Sequence, residues 1–179
     1  MQSTARFQLS LASAIAALCL TVAPLPALSA DDEVVIGEPV ERNGLSVGAA
    51  YLRAIEMAPE PAVPAGEDVI HLECDVVAAP DNQHGFAEGT FVPYLTCAYH
   101  IEKIGEDWRQ IGTMLPMSAQ DGPHYASNVP MAGPGDYRVV YRLSPPSEQG
   151  FYRHADDATG VPDWWAPFSV EWTFNYPAE

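Results

Sequence analysis

Every second residue from Phe168 to Tyr176 is apolar (Phe168, Val170, Trp172, Phe174, Tyr176), and each residue between them is polar. A period of two places such a set on one face of a β-strand and nowhere useful on a helix. The pattern recurs in Leu45, Val47, Ala49 and Tyr51, in Leu95, Cys97, Tyr99 and Ile101, and in Tyr137, Val139, Tyr141 and Leu143. A further strand is expected over Trp108–Met114, after a turn at Gly105-Glu106-Asp107. Asn43-Gly44 suits a tight primed turn, so Glu38 to Leu45 reads as a hairpin. Convincing helical periodicity is absent, and 17 prolines and 13 glycines break the chain into short pieces. About seven short strands separated by turn signals predict an all-β domain, an antiparallel immunoglobulin-like β-sandwich, with a small barrel as the alternative. Long connections are expected over Pro59–Gly66, Ala79–Thr90, Ser118–Pro134 and Pro145–Pro167.

The segment Ile70 to Val76 carries chemistry as well as pattern. Ile70, Leu72, Cys74 and Val76 form an apolar face, and His71, Glu73 and Asp75 point the opposite way. Alternate residues on a strand lie about 7 Å apart, which sets an imidazole beside two carboxylates. Met117 and His124 flank Asp121-Gly122-Pro123, a turn sequence able to fold that stretch back on itself. His154 lies in a later loop. Imidazole with thioether favours copper, and the carboxylate adds a hard donor that iron accepts. His71, Glu73, Met117, His124 and His154 are candidate metal donors on this chemistry, and His84 and His100 are taken as ordinary histidines. Cys74 and Cys97 share the phase of the apolar faces, which keeps them off the metal and leaves two outcomes open: a disulfide or two buried thiols.

The first thirty residues stand apart. Arg6 is the one charge there, an apolar run follows, and small residues in Ala27-Leu-Ser-Ala30 precede Asp31. That is the layout of a secretory signal peptide cut after Ala30. Pro24 and Pro26 interrupt a run too short to span a bilayer, and Leu18 before Cys19 speaks against a lipid anchor. Residues 31–179 then form one domain, exported to the periplasm. Without the leader, seven basic residues face 24 acidic ones. Such a surface repels nucleic acid and anionic lipid and attracts cations.

Several segments together resemble the bacterial periplasmic iron-transport proteins that work beside an inner-membrane iron permease. They are Glu38-Pro-Val-Glu-Arg-Asn-Gly44, Ile70-His-Leu-Glu73, Gly85-Phe-Ala-Glu-Gly89, Val92-Pro-Tyr-Leu-Thr96, Met114-Leu-Pro-Met117, Asp121-Gly-Pro-His-Tyr125 and Pro134-Gly-Asp-Tyr137. Arg153-His154, Thr159-Gly-Val161 and Trp164-Trp-Ala-Pro-Phe-Ser-Val-Glu-Trp172 complete the series. The resemblance implies an immunoglobulin-like sandwich, a homodimer, and a copper site that also supports iron binding, with His71, Glu73, Met117, His124 and His154 as ligands. In some members of that family the site lies close to the dimer interface, so that one ligand can come from the partner chain. Asp121 and Glu88 are either supporting or iron-binding carboxylates, or simply a turn former and a loop acid. Cys74 and Cys97 depart from the small or aliphatic residues usual in the family.

The function this implies is capture of iron and its delivery to the permease, as a binding protein rather than an enzyme. The alternative is a small copper-dependent oxidase acting on ferrous iron, which needs an open coordination position.

Overall fold

The computed structural model describes residues 33–177; the expected signal peptide and its cleavage point lie outside the described residues. Among the described residues nine strands run in chain order: β1 (Val34–Val35), β2 (Val40–Arg42), β3 (Leu45–Arg53), β4 (Val69–Ala78), β5 (Thr96–Lys103), β6 (Arg109–Ser118), β7 (Pro123–Pro130), β8 (Gly135–Ser144) and β9 (Phe168–Tyr176). All neighbours are antiparallel, and the hydrogen-bonded path is β1-β3-β4-β7-β6-β5-β8-β9, with β2 also on β3. A 3-10 turn at Pro146–Gln149 is the sole helical piece among the described residues, and none of their helices could cross a membrane.

The sheet curls because β6 changes partner along its length. Arg109 to Met114 pairs with β5, and Leu115 to Ser118 pairs with β7. The change falls just before Pro116, which has no N–H to give to a ladder. The two halves then share one core. Leu45, Val47, Leu72, Cys74 and Val76 of β3 and β4 join Tyr99, Ile101, Val139, Tyr141, Leu143 and Val170 of β5, β8 and β9 in a single buried cluster. Each large aliphatic chain buried there contributes roughly 1.5–3 kcal/mol relative to exposure. The Tyr51 ring meets Phe174 and Tyr176 at 5.5 and 5.8 Å between centroids, which closes one end.

Asn43 and Gly44 have φ of +56° and +71°, the left-handed pair that a primed hairpin turn requires. Tyr94 has φ of +62°, so the alternation read from Leu95 enters a strand only at Thr96. One expectation fails outright. Within the supposed loop Ser118–Pro134 lies β7, eight residues long. Its outward face is His124, Ala126 and Asn128, which carries no apolar alternation to announce a strand, and prolines stand at both ends. The turn before it is tight: Ala119 N–H donates to Gly122 O at 3.0 Å, and Gly122 N–H returns the bond at 3.3 Å.

Cys74 and Cys97 are fully buried free thiols in the common core. Cys97 Sγ also lies 3.7 Å from Met114 Sδ. Of the two outcomes the sequence left open, the structure has the thiols.

Candidate metal centre

β4 and β7 are neighbours, with Glu73 opposite Ala126 and His71 opposite Asn128. On the other side of β4, Glu73 faces Ala50 and Asp75 faces Gly48. Small residues thus flank the Glu73 carboxylate on both sides. The β6–β7 hairpin places Met117 directly across from His124, half-buried. Opposed residues on antiparallel strands hold their Cβ atoms about 4.5–5.5 Å apart. Residues remote in the chain are in this way brought to one patch of the sheet.

This face of β4 is polar in sequence but not open to water. His71 is 0% exposed, His124 4% and Glu73 7%. Asn128, beside His71, ties the β3–β4 connection to this face: its amide Nδ2 donates to Ile55 O at 3.2 Å and to Val63 O at 3.0 Å. That assignment turns Asn128 Oδ1 toward His71 Nδ1, 3.0 Å away. The amide oxygen can only accept, so Nδ1 carries the proton and Nε2 keeps its lone pair. From the core side, the Tyr141 hydroxyl donates to the Glu73 carbonyl at 2.8 Å and fixes the strand beneath the carboxylate.

The side-chain atoms converge. Glu73 Oε1 lies 3.6 Å from His71 Nε2 and 3.6 Å from His124 Nε2, too far for hydrogen bonds. Both Nε2 atoms are buried with no hydrogen-bond partner, a costly state for a polar atom unless something else occupies its lone pair. Donors held about 2.0–2.1 Å from one ion stand roughly 3–3.5 Å from each other. The three atoms are thus close to the spacing that a shared cation demands, and the ring centroids, 5.9 Å apart and nearly perpendicular, leave room between them. A second group, Glu33, Glu73 and Asp75, offers carboxylate oxygens within 4.8 Å of one another.

The electrostatics follow from that crowding. Burial, then the charges of Asp75, Glu33 and Asp121, pushes the Glu73 carboxyl up to about 8. Burial likewise raises Asp75 and Glu33 above the ordinary carboxylate range. Burial lowers His71, helped by the neighbouring His124 and opposed by the Asn128 bond. The bare site therefore holds neutral imidazole beside a reluctant carboxylate, and a cation would relieve both.

The structure brings His71, Glu73 and His124 together and sets Met117 across from His124. His154 does not join them: it is exposed in the β8–β9 connection. Asp121 acts on Glu33, Glu73 and Asp75 through its charge, whereas Glu88 is exposed and belongs to neither donor group. His100 lies on the outer face 3.9 Å from Glu102, and His84 stacks on Trp164 with centroids 5.2 Å apart; both lie apart from the donors. Sequence reasoning passed over two contributors. Glu33 sits in front of β1, next to the predicted cleavage point, and Asn128 sits in the strand mistaken for a loop.

Asn128→Leu is expected to weaken copper binding by about 10–100-fold, the usual cost of losing a partner that orients a ligand. Asn128→Asp keeps an acceptor for Nδ1 but aims an anionic oxygen at two carbonyls. It should retain most of the affinity and speed hydrogen exchange in the 54–68 connection. Copper titration with exchange mass spectrometry checks both; equal affinity in the leucine variant and the parent would dismiss the orienting role.

The Fe2+ transport protein family matches residues 30–178 of the chain. A UPF0423 protein of Brucella abortus is 44% identical over 148 residues, covering 80% of this chain and 81% of that protein. The 34 kDa membrane antigen of Treponema pallidum is 37% identical over 147 residues, covering 79% and 72%. Among solved structures, the copper-reconstituted P19 protein of Campylobacter jejuni has a TM-score of 0.78 at 42% identity, with 81% of this chain and 96% of that one covered. FetP of uropathogenic E. coli, recombinantly expressed in the periplasm, has a TM-score of 0.77 at 44% identity, with 80% and 95% covered.

Proposed function

Since the chain belongs to the Fe2+ transport protein family, we propose that it is an exported, periplasmic copper- and iron-binding protein that captures iron and passes it to an inner-membrane permease. The observation that carries this reading is the pair of buried, unpartnered Nε2 atoms, each 3.6 Å from one Glu73 oxygen. Two imidazoles and a carboxylate with a thioether at hand fit copper. His71, His124 and Glu73 would hold it, with Met117 beside His124. Bound copper would supply a one-electron couple next to the cargo. Glu73 and Asp75, with Glu33 and Asp121 nearby, would receive the iron, since hard carboxylate oxygens suit it. The copper reconstitution of P19 and the periplasmic expression of FetP both agree with this assignment.

We read the curled sheet as an immunoglobulin-like sandwich, on the strength of the core its halves share, and residues 31–179 as its single domain. The working unit in this reading is a homodimer. His154, exposed and apart from the other donors, completes the site of a second copy rather than its own. The strongly acidic surface supports a cation-handling role and no nucleic-acid partner.

The test is metal uptake by protein purified from the periplasm without chelator. One Cu(II) per chain is expected, with iron or manganese binding added once copper is in place. Uptake of neither metal on titration would reject the proposal.

A further inference from the structure

The loop that carries His154 is tied at nearly every position. Val161 N–H donates back to His154 O at 3.1 Å, and Gly160 N–H donates to Asp156 O at 2.9 Å. A Cβ at Gly160 would stand 2.4 Å from that same Asp156 oxygen, so the closure requires glycine. Asp156 Oδ1 accepts from Ala158 N–H and Thr159 N–H, both at 3.0 Å. The Arg153 guanidinium donates to Val161 O at 3.0 Å and pairs with Asp163. This is a stiff mount for a single exposed imidazole.

Its hydrogen bonds fix the imidazole's state as well as its position. Thr159 Oγ1 donates its one proton to Asp156 Oδ2 at 2.8 Å. A carboxylate offers only acceptor oxygens, so Asp156 Oδ2 accepts this bond. Thr159 Oγ1 also lies 2.8 Å from His154 Nδ1. With its proton committed, the hydroxyl oxygen must accept there. Nδ1 then carries the hydrogen, and the lone pair is left on Nε2.

We infer that Asp156 and Thr159 are positioning residues that lock His154 in its Nδ1–H tautomer and present Nε2 outward as a standing metal donor. The order carboxylate, hydroxyl, imidazole is a hydroxyl-extended form of the outer-shell relay that orients metal-binding histidines. It mirrors the Asn128–His71 arrangement within the buried site. Two separate hydrogen-bond systems thus leave Nε2 free, one buried and one exposed. The exposed one has use only if a site outside its own loop takes that nitrogen. The inference rests on the proposed role of His154 as a ligand to a second copy's copper.

The experiment reads tautomer and copper separately. In metal-free 15N-labelled protein at about pH 8.5, where imidazoles are neutral, long-range 15N–1H spectra should show His154 protonated on Nδ1. Thr159→Val should shift it toward Nε2–H and weaken copper binding by about tenfold, and Thr159→Ser should restore both. Protonation on Nε2 in the parent, or an Nδ1–H tautomer that persists in Thr159→Val, would overturn the lock. A shifted tautomer with unchanged copper affinity would overturn its positioning role. His154→Ala separates the underlying reading: if copper affinity survives that change too, His154 is no ligand, whatever its tautomer.

Discussion

Replacing either His124 or His71 with alanine is expected to cost more than about 100-fold in Cu(II) affinity, beyond the range seen when an outer-shell partner is lost. Each supplies a buried Nε2 with nothing else to bind, and the remaining carboxylate would be left with one imidazole. The two variants should differ in stability without metal. His71→Ala strands the Asn128 oxygen that now accepts from Nδ1 and opens a cavity at a fully buried position. An orphaned buried acceptor costs about 1–3 kcal/mol. Both changes remove a buried nitrogen that is already unsatisfied, which offsets part of each cavity cost, so the stranded Asn128 oxygen makes His71→Ala the less stable of the two. Calorimetric copper titration and thermal unfolding of the metal-free proteins check both halves. Copper affinity equal to the parent's in both variants would remove the centre from this patch of the sheet. A more stable His71→Ala than His124→Ala would contradict the hydrogen-bond account of the buried site.

Much of this was legible in the sequence, and the reasons differ by element. Strands such as β9 and β8 announce themselves because one face is core and the other is water, so burial writes an alternation into the residues. β4 could be read because its second face, though buried, is polar, and its off-phase residues named the first two donors. The same logic hid β7. Its outward face, His124-x-Ala126-x-Asn128, is buried for chemistry rather than for apolar contact, so the pattern that marks a strand is missing where the function sits. Local rules are expected to fail at such sites. Met117 and His124 were still found, because Asp121-Gly122-Pro123 folds them together whether or not a strand follows. The burial of His71 and Glu73 was not visible. The bonds around it join residues far apart in the chain: Asn128, which meets His71, also ties down Val63, more than sixty positions away. Glu33 was missed because nothing local distinguishes an acid beside a predicted cleavage point from its neighbours Asp31 and Asp32.

Copper binding at pH 7 should expel roughly one proton per ion from the parent protein, as expected when a ligand must deprotonate to bind. The proton comes from Glu73, whose carboxyl stands at about 8 because it is buried among Asp75, Glu33 and Asp121. Release should fade above about pH 9, where the carboxylate is already ionised. In Glu73→Gln it should vanish, with weaker binding. The metal-free fold should feel the same group with the opposite consequence. The folded value lies above the ordinary value of 4.5, so the folded state holds its proton more tightly than the unfolded chain does. The stability Glu73 contributes is complete below pH 4.5 and is lost as pH rises through about 8. His71, lowered by burial, acts the other way: its contribution is present above the ordinary imidazole range and is lost as pH falls. His71 is common to the parent and Glu73→Gln, so the difference between their unfolding curves from about pH 5 to 9 reports Glu73. The parent should lose stability over that window faster than the variant, and saturating copper should reverse the trend, because the metal favours the carboxylate. Calorimetry in two buffers of different ionisation enthalpy measures the proton. Identical release from parent and variant would place the titrating group elsewhere and leave Glu73 out of the coordination shell.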